Sequence, residues 1–307
     1  MNGTTTVRRA RRTAVGEPLK FGLSTPGGLL AARQLQTVAD AVGRRAEMVM
    51  AFEDFFASPP IAAIAVAAYC GADPIITWEP WCWTDDRSPA VVRSIVSGAL
   101  DQYLCRWADE IRDWGSVVHL RFAHEFNGDW YPWSPACGTS PATYVEVWQH
   151  IHGVFSSRGA DNVRWVWCPT ATGVGALPAW YPGDDYVDVL GVDGYNWGTS
   201  LPMSRWTEPE ELFGDVLCEL RAISSDKPIL VAEVGCSESG GRKAKWIARF
   251  IDFVAGQRDV AGFVWFEHDK EFDWRITSTP ESAAAMAKAL RRARRTRCQD
   301  IALRAGR

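Results

Sequence analysis

The sequence predicts one closed (β/α)8 barrel, an α/β fold with its active site at the C-terminal ends of the strands. Three observations carry that expectation. Eight short apolar runs recur along the chain, helical stripes separate most of them, and no glycine-rich phosphate loop accompanies them. Alternating strand and helix implies parallel strands joined by right-handed crossovers. Eight such units in a body of roughly 270 residues suit a closed barrel, which typically takes ~250. An open doubly wound sheet is the competing architecture. Its fingerprint is missing, because Gly173-Val174-Gly175-Ala176 lacks a third glycine and follows Pro169.

The strands are expected at Lys20–Leu23, Met48–Phe52, Pro74–Trp78, Val117–Phe122, Val163–Trp167, Val187–Val192, Pro228–Ala232 and Gly262–Phe266. Leu100, Tyr103, Leu104, Trp107 and Ile111 form one helical stripe. Val147, Trp148, Ile151, Val154 and Phe155 form a second, and Trp246, Ile247, Phe250 and Val254 a third. Ser58-Pro59-Pro60, Ser88-Pro89 and Ser140-Pro141 stand where N-caps and first helical turns are expected. The domain reading is a basic, disordered segment at 1–17, the barrel at 18–290, and a basic C-terminal tail at 291–307.

Charge is unevenly spread over the 307 residues. The first twelve carry four arginines and no acid. The last seventeen carry seven arginines and one aspartate. Ends of +4 and +6 against a total of −4 leave −14 for the body. An acidic body argues against a nucleic-acid partner. None of the eight cysteines forms C-x-x-C, so a structural zinc site is not expected; Cys82 and Cys137 fall in candidate loops, where a bridge between them is an option. No apolar run approaches the ~20 residues that span a bilayer, and no apolar segment follows the N-terminal arginines as in a secretory signal. A monomer without membrane partners is expected, and its compartment stays open.

Sixteen tryptophans exceed the thirteen phenylalanines and seven tyrosines. The plain reading is a Trp-rich core. The sharper one is a set of flat faces for a ring-shaped ligand. The strand ends decide which deserves weight. The fourth strand runs into His124-Glu125, followed by Asn127, Gly128, Asp129, Trp130, Tyr131 and Trp133. The sixth runs into Asp193-Gly194-Tyr195-Asn196-Trp197, and the seventh ends in Glu233 after Ile229-Leu230-Val231-Ala232. A carboxylate so placed costs several kcal/mol of desolvation unless it has partners. Arg121, deeper on the fourth strand, is a possible partner for it, and itself needs an acid such as Asp193 or Glu53. Two carboxylates facing one cleft can divide labour, one protonated and one ionised, which is what glycoside cleavage requires. HExxH and G-x-S-x-G are absent.

"RFAHEFNG" with "DWYPW", "DGYNW" and "AEVG" downstream resembles glycoside hydrolase family 26, a family of retaining (β/α)8 enzymes, over roughly residues 18 to 290. The resemblance implies Glu125 as acid/base and Glu233 as nucleophile. It implies a β-linked polysaccharide or oligosaccharide substrate, either β-1,4-mannan or mixed-linkage β-1,3-1,4-glucan, and no cofactor or metal. It matches Tyr195 to a tyrosine that hydrogen-bonds the nucleophile, with Asp193 on the same face. His124 is expected to line the site and Trp265 to lie under the sugar at the cleavage point. Trp130, Trp78, Trp133, Trp81 and Trp197 are candidate further subsites, each equally readable as packing. Asn127 is a candidate ligand contact or a loop-turn residue. Thr77-Trp78-Glu79-Pro80-Trp81 looks nearer the glucan-cutting members. Retention predicts carboxyl groups ~5–5.5 Å apart. A barrel that binds or exports a polysaccharide without degrading it is the alternative.

Overall fold

A computed structural model of the chain describes residues 18–84 and 90–305. The basic segment expected at 1–17 and the Ser88-Pro89 cap lie outside the described residues. Eight parallel strands close into a barrel in sequence order. They are β1 (Lys20–Ser24), β2 (Met48–Asp54), β3 (Asp73–Glu79), β4 (Val118–Phe122), β5 (Val163–Trp167), β6 (Val189–Asn196), β7 (Ile229–Cys236) and β8 (Val260–Phe266). Each coincides with one of the eight apolar runs, and several extend at their carboxyl ends into polar residues.

The helices are α1 (Ala32–Val42), α2 (Ile61–Tyr69), α3 (Ala90–Val96), α4 (Asp101–Trp114), α5 (Pro141–Ser157), α6 (Pro209–Ile223), α7 (Lys243–Gly256) and α8 (Pro280–Ala305). The three helical stripes fall on α4, α5 and α7. The pairing is not one helix per strand, however. Two helices follow β3, while β5 leads only into short 3-10 turns at Leu177–Trp180 and Asp184–Tyr186. Ser140 caps α5 as its position predicts, its hydroxyl accepting from the Thr143 N–H at 3.1 Å. The α2 start makes no such side-chain cap. The expected tail is not a break at residue 290. Pro280–Ala305 is one helix, with Leu290 and Ala293 buried and Arg292 paired to Asp252 at 2.5 Å.

Strand alternation sorts the side chains into two sets. Outward residues such as Ile76, Trp78, Leu120, Phe122, Phe263 and Trp265 join the helices in one large core. Inward residues Met48, Met50, Ile75, Cys168, Leu230, Ala232 and Val264 fill the barrel. Above that plug, toward the C-terminal mouth, the inward positions turn polar: Thr77, Arg121 and Asp193 are fully buried. No described helix is long and apolar enough to cross a membrane. Cys82 and Cys137 are both free thiols.

Candidate active site

The chain leaves β4 through a strained turn. Ala123 and Glu125 have φ of 44° and 51°, a left-handed conformation that non-glycine residues seldom adopt. Neighbouring strands hold it there. The Ala123 N–H donates to the Trp78 carbonyl at 3.1 Å and the Glu125 N–H to the Cys168 carbonyl at 2.7 Å. Asn127 clamps the turn to the β5 exit, its amide donating to the Thr170 carbonyl at 3.0 Å and accepting from the Thr170 N–H at 2.8 Å. Gly173 is glycine for the same reason: a Cβ there would lie 2.1 Å from the Asn127 amide nitrogen. The strained turn aims the Glu125 carboxyl at the mouth, where Trp130 Nε1 donates to it at 2.7 Å.

Glu233 reaches the same mouth by a different device. On β7, Leu230 and Ala232 face the barrel interior and Val231 and Val234 the helices. Strict alternation would send Glu233 outward. The β6–β7 register instead jumps between Val192 and Asp193, so that Asp193 pairs with Glu233. The bulge re-aims the side chain inward. There Arg121 and the Tyr195 hydroxyl both donate to the Glu233 carboxylate. The same guanidinium donates to Asp193 at 2.5 Å and to the Thr77 hydroxyl at 2.9 Å. Arg121 therefore pairs with two of the three acids that the sequence offers it, Glu233 and Asp193, and not with Glu53. That carboxyl is half-buried and is pushed up to about 7, first by burial and then by Asp54.

One guanidinium thus stands among four carboxyls: Glu79, Glu125, Asp193 and Glu233. Burial raises three of them, Asp193 included, which is pushed up to about 8 against the opposing pull of Arg121. Desolvation pushes the Glu125 carboxyl well above the usual carboxylate range, and the charges of Asp193 and Glu233 add to this. Burial likewise raises Glu79. His124 is held well below its ordinary value by burial and by Arg121, so the imidazole is neutral at physiological pH. Its Nε2 lies 3.1 Å from the Tyr131 hydroxyl, 3.9 Å from Glu233 and 4.0 Å from Glu79. His124, Asp193 and Glu233 bring potential metal ligands within 4.8 Å of one another. Arg121 already supplies a positive charge to both carboxylates of that set.

The site gathers Glu125, Glu233, His124, Asp193, Tyr195 and Trp130, but with roles altered. Asp193 is wholly buried beneath Arg121 and touches no open space, so it is a support and not a ligand contact. Asn127 spends its amide on the loop clamp. Trp78 and Trp265 do not belong to the mouth at all: both are 0% exposed. Trp78 is sandwiched between Phe55 and Trp107, with ring centroids 4.7 and 4.3 Å away. Trp265 packs on Trp246 and Phe250 of α7 and donates to the Trp274 carbonyl at 2.9 Å. Each sits one residue out of phase with the inward set.

The in-phase neighbours were missed by sequence reasoning. Glu79 follows Trp78, and Phe266 follows Trp265. Phe266 meets Phe52 and Tyr195 edge-on and stacks on His268, whose ring centroid is 3.9 Å away. His268 Nε2 is 3.0 Å from the Ser24 hydroxyl, and burial pushes the imidazole down to about 4. Counting alternate residues from Arg121 and its partner Thr77 would have found Glu79. Trp133 is buried with its indole on the His124 carbonyl, while Trp197 packs edge-on against Trp274.

Fold and site define a parallel (β/α)8 barrel with buried acidic residues delivered to one mouth from the ends of β4 and β7. The chain belongs to glycosyl hydrolase family 26, whose family model matches residues 73–209. It is 38% identical to Endoglucanase H of Acetivibrio thermocellus over 224 residues, 70% of this chain and 24% of that one. It is 30% identical to mannan endo-1,4-beta-mannosidase A and B of Caldalkalibacillus mannanilyticus over 138 residues, 43% of this chain and 24% of that one. The chain thus spans about a quarter of the length of these two relatives. Among solved structures, a GH26 beta-mannanase from Bacteroides ovatus superposes with a TM-score of 0.68 at 19% identity, over 90% of this chain and 89% of that one. The GH26 domain of an endo-beta-mannanase/endo-beta-glucanase from Prevotella bryantii superposes with a TM-score of 0.62 at 16% identity, over 88% and 89%. These likenesses concern the fold.

Proposed function

We propose that the protein is a retaining endo-β-glycoside hydrolase that cuts a β-linked glucan or mannan. Glu125 donates its proton to the departing glycosidic oxygen while Glu233 attacks the anomeric carbon. A covalent glycosyl-enzyme forms and the aglycone leaves. Glu125, now a carboxylate, takes a proton from water. The water oxygen displaces Glu233 and restores the starting configuration. The observation that carries this reading is the contrast between the two carboxyls. Glu125 is a buried acid with no ion-pair partner among the described residues, suited to hold a proton. Glu233 is paired with Arg121 and aimed by Tyr195.

Of the two substrate classes, β-glucan is the first choice. The relative named an endoglucanase matches at 38% identity over 70% of this chain, against 30% over 43% for the mannosidase. Mannose and glucose differ at the 2-hydroxyl alone, and a single contact worth ~1–3 kcal/mol decides between them. A reducing-end assay on barley glucan, glucomannan, galactomannan and β-1,3-xylan tests the reading, with NMR of the first product anomer. Release of β-configured ends from barley glucan is the expected result. Inverted product overturns the mechanism. Binding without cleavage of all four polymers replaces hydrolysis with a non-degradative role.

A further inference from the structure

Glu79 ends β3 with its carboxyl in the mouth, only 6% exposed. Its two oxygens are used unequally. Oε2 accepts from two indoles, Trp81 Nε1 at 3.0 Å and Trp83 Nε1 at 2.6 Å. Oε1 receives no hydrogen bond among the described residues. Its nearest cation-forming neighbour is His124 Nε2 at 4.0 Å, beyond hydrogen-bond reach. Unlike His124 Nδ1, which is sealed in without a partner, this oxygen keeps its exposure to the mouth, so a donor carried by a ligand can reach it. What surrounds it specifies the donor. His124 lies between Glu79 and Glu233, 3.9 Å from the latter. Tyr131 and Trp81 rim the same opening edge-on, and Trp83 is 48% exposed. A hydroxyl carried on a ring that packs against aromatic faces fits this set.

We propose that Glu79 is a substrate-binding residue of the glycosidase site, a proposal that rests on the function assigned above. Oε1 accepts a hydroxyl of a sugar bound next to the scissile linkage. Oε2 meanwhile fixes Trp81 and Trp83 as the aromatic wall of that subsite. One carboxylate thereby sets both the polar and the stacking contact. Loss of its charge weakens recognition of one particular hydroxyl and leaves the other hydroxyls' contributions unchanged.

The test is a double-mutant cycle between Glu79→Gln and a series of oligosaccharides each lacking one hydroxyl, read as kcat/KM. In the parent enzyme, removing the hydroxyl that Glu79 accepts costs about tenfold or more, the size of a hydrogen bond to a charged group. In E79Q the same deletion is nearly neutral, whereas the other deletions cost as much as in the parent. If E79Q does not fold, Glu79→Asp serves in the same cycle, since it withdraws the charge by one methylene. Equal discrimination by parent and variant against every analogue overturns the Glu79 proposal while leaving the hydrolase intact. A parent that cleaves none of the oligosaccharides overturns the functional assignment, and this proposal with it.

Discussion

Trp130 donates its indole N–H to Glu125 at 2.7 Å, the one hydrogen bond that the Glu125 side chain receives among the described residues. A donor favours the ionised carboxylate, so this contact pulls the Glu125 pKa down against the upward push of burial. Trp130→Phe removes the pull, and the pKa rises further. An acid catalyst works while protonated, and its rate falls as pH climbs through its pKa. The alkaline limb of the kcat profile in W130F therefore moves to higher pH. A limb that moves lower or stays in place contradicts the assignment of Glu125 as the acid.

Glu233→Ala is expected to drive turnover of polysaccharide to background with oligosaccharide binding nearly intact. Added azide should restore some turnover by attacking the anomeric carbon from the vacated side, giving a glycosyl azide of inverted configuration. Glu125→Ala should slow natural substrates by about 10²–10⁴-fold and aryl glycosides with good leaving groups far less. Equal slowing of both substrate kinds argues against proton donation by Glu125.

The expected strands and the two acids at the mouth were legible in the sequence because apolar runs and their polar ends survive any choice of register. Facing was harder to read. Trp78 and Trp265 stand beside the inward residues Glu79 and Phe266, and composition favours the indole over its neighbour in both cases. Only the Thr77–Arg121 hydrogen bond or the filled barrel interior reveals the phase. Glu233 went the other way: its inward aim depends on a bulge that no local pattern announces. Asn127 looked like a ligand contact because its clamp partner, Thr170, is 43 residues distant.

Trp78 provides a test of that phase. As a fully buried ring stacked on Phe55 and Trp107, its replacement by alanine should cost about 3–5 kcal/mol of stability. KM should hardly change at temperatures where the variant is folded. A selective rise in KM without a drop in the denaturation midpoint restores Trp78 to the substrate.

Arg121→Met leaves Asp193 and Glu233 facing each other with no cation. Breaking a buried charge set in this way costs about 3–5 kcal/mol, and chemical denaturation should register it. Because one of the stranded acids then takes up a proton more readily, the loss should shrink as the pH is lowered. A penalty that grows toward acid pH runs against the charge accounting.

His268 predicts a stability trend on the acid side. Its folded pKa of about 4 lies below the ordinary value of 6.5. Unfolded chains therefore bind a proton that the folded protein refuses, and stability declines as pH falls from about 6.5 toward 4. His268→Asn should make that decline shallower in thermal melts across the window. An unchanged slope removes His268 from the account.

The bulge in β7 makes the catalytic machinery sensitive to arithmetic. Closing the bulge in place, with Ala232 instead of Glu233 opposite Asp193, would restore an unbroken pleat and leave the hydrophobic wall largely able to form. It would also rotate the acid behind it toward the helical jacket and present valine to the sugar. The barrel could thus stand and its chemistry be lost through a one-residue slip in pairing, with every functional side chain still encoded.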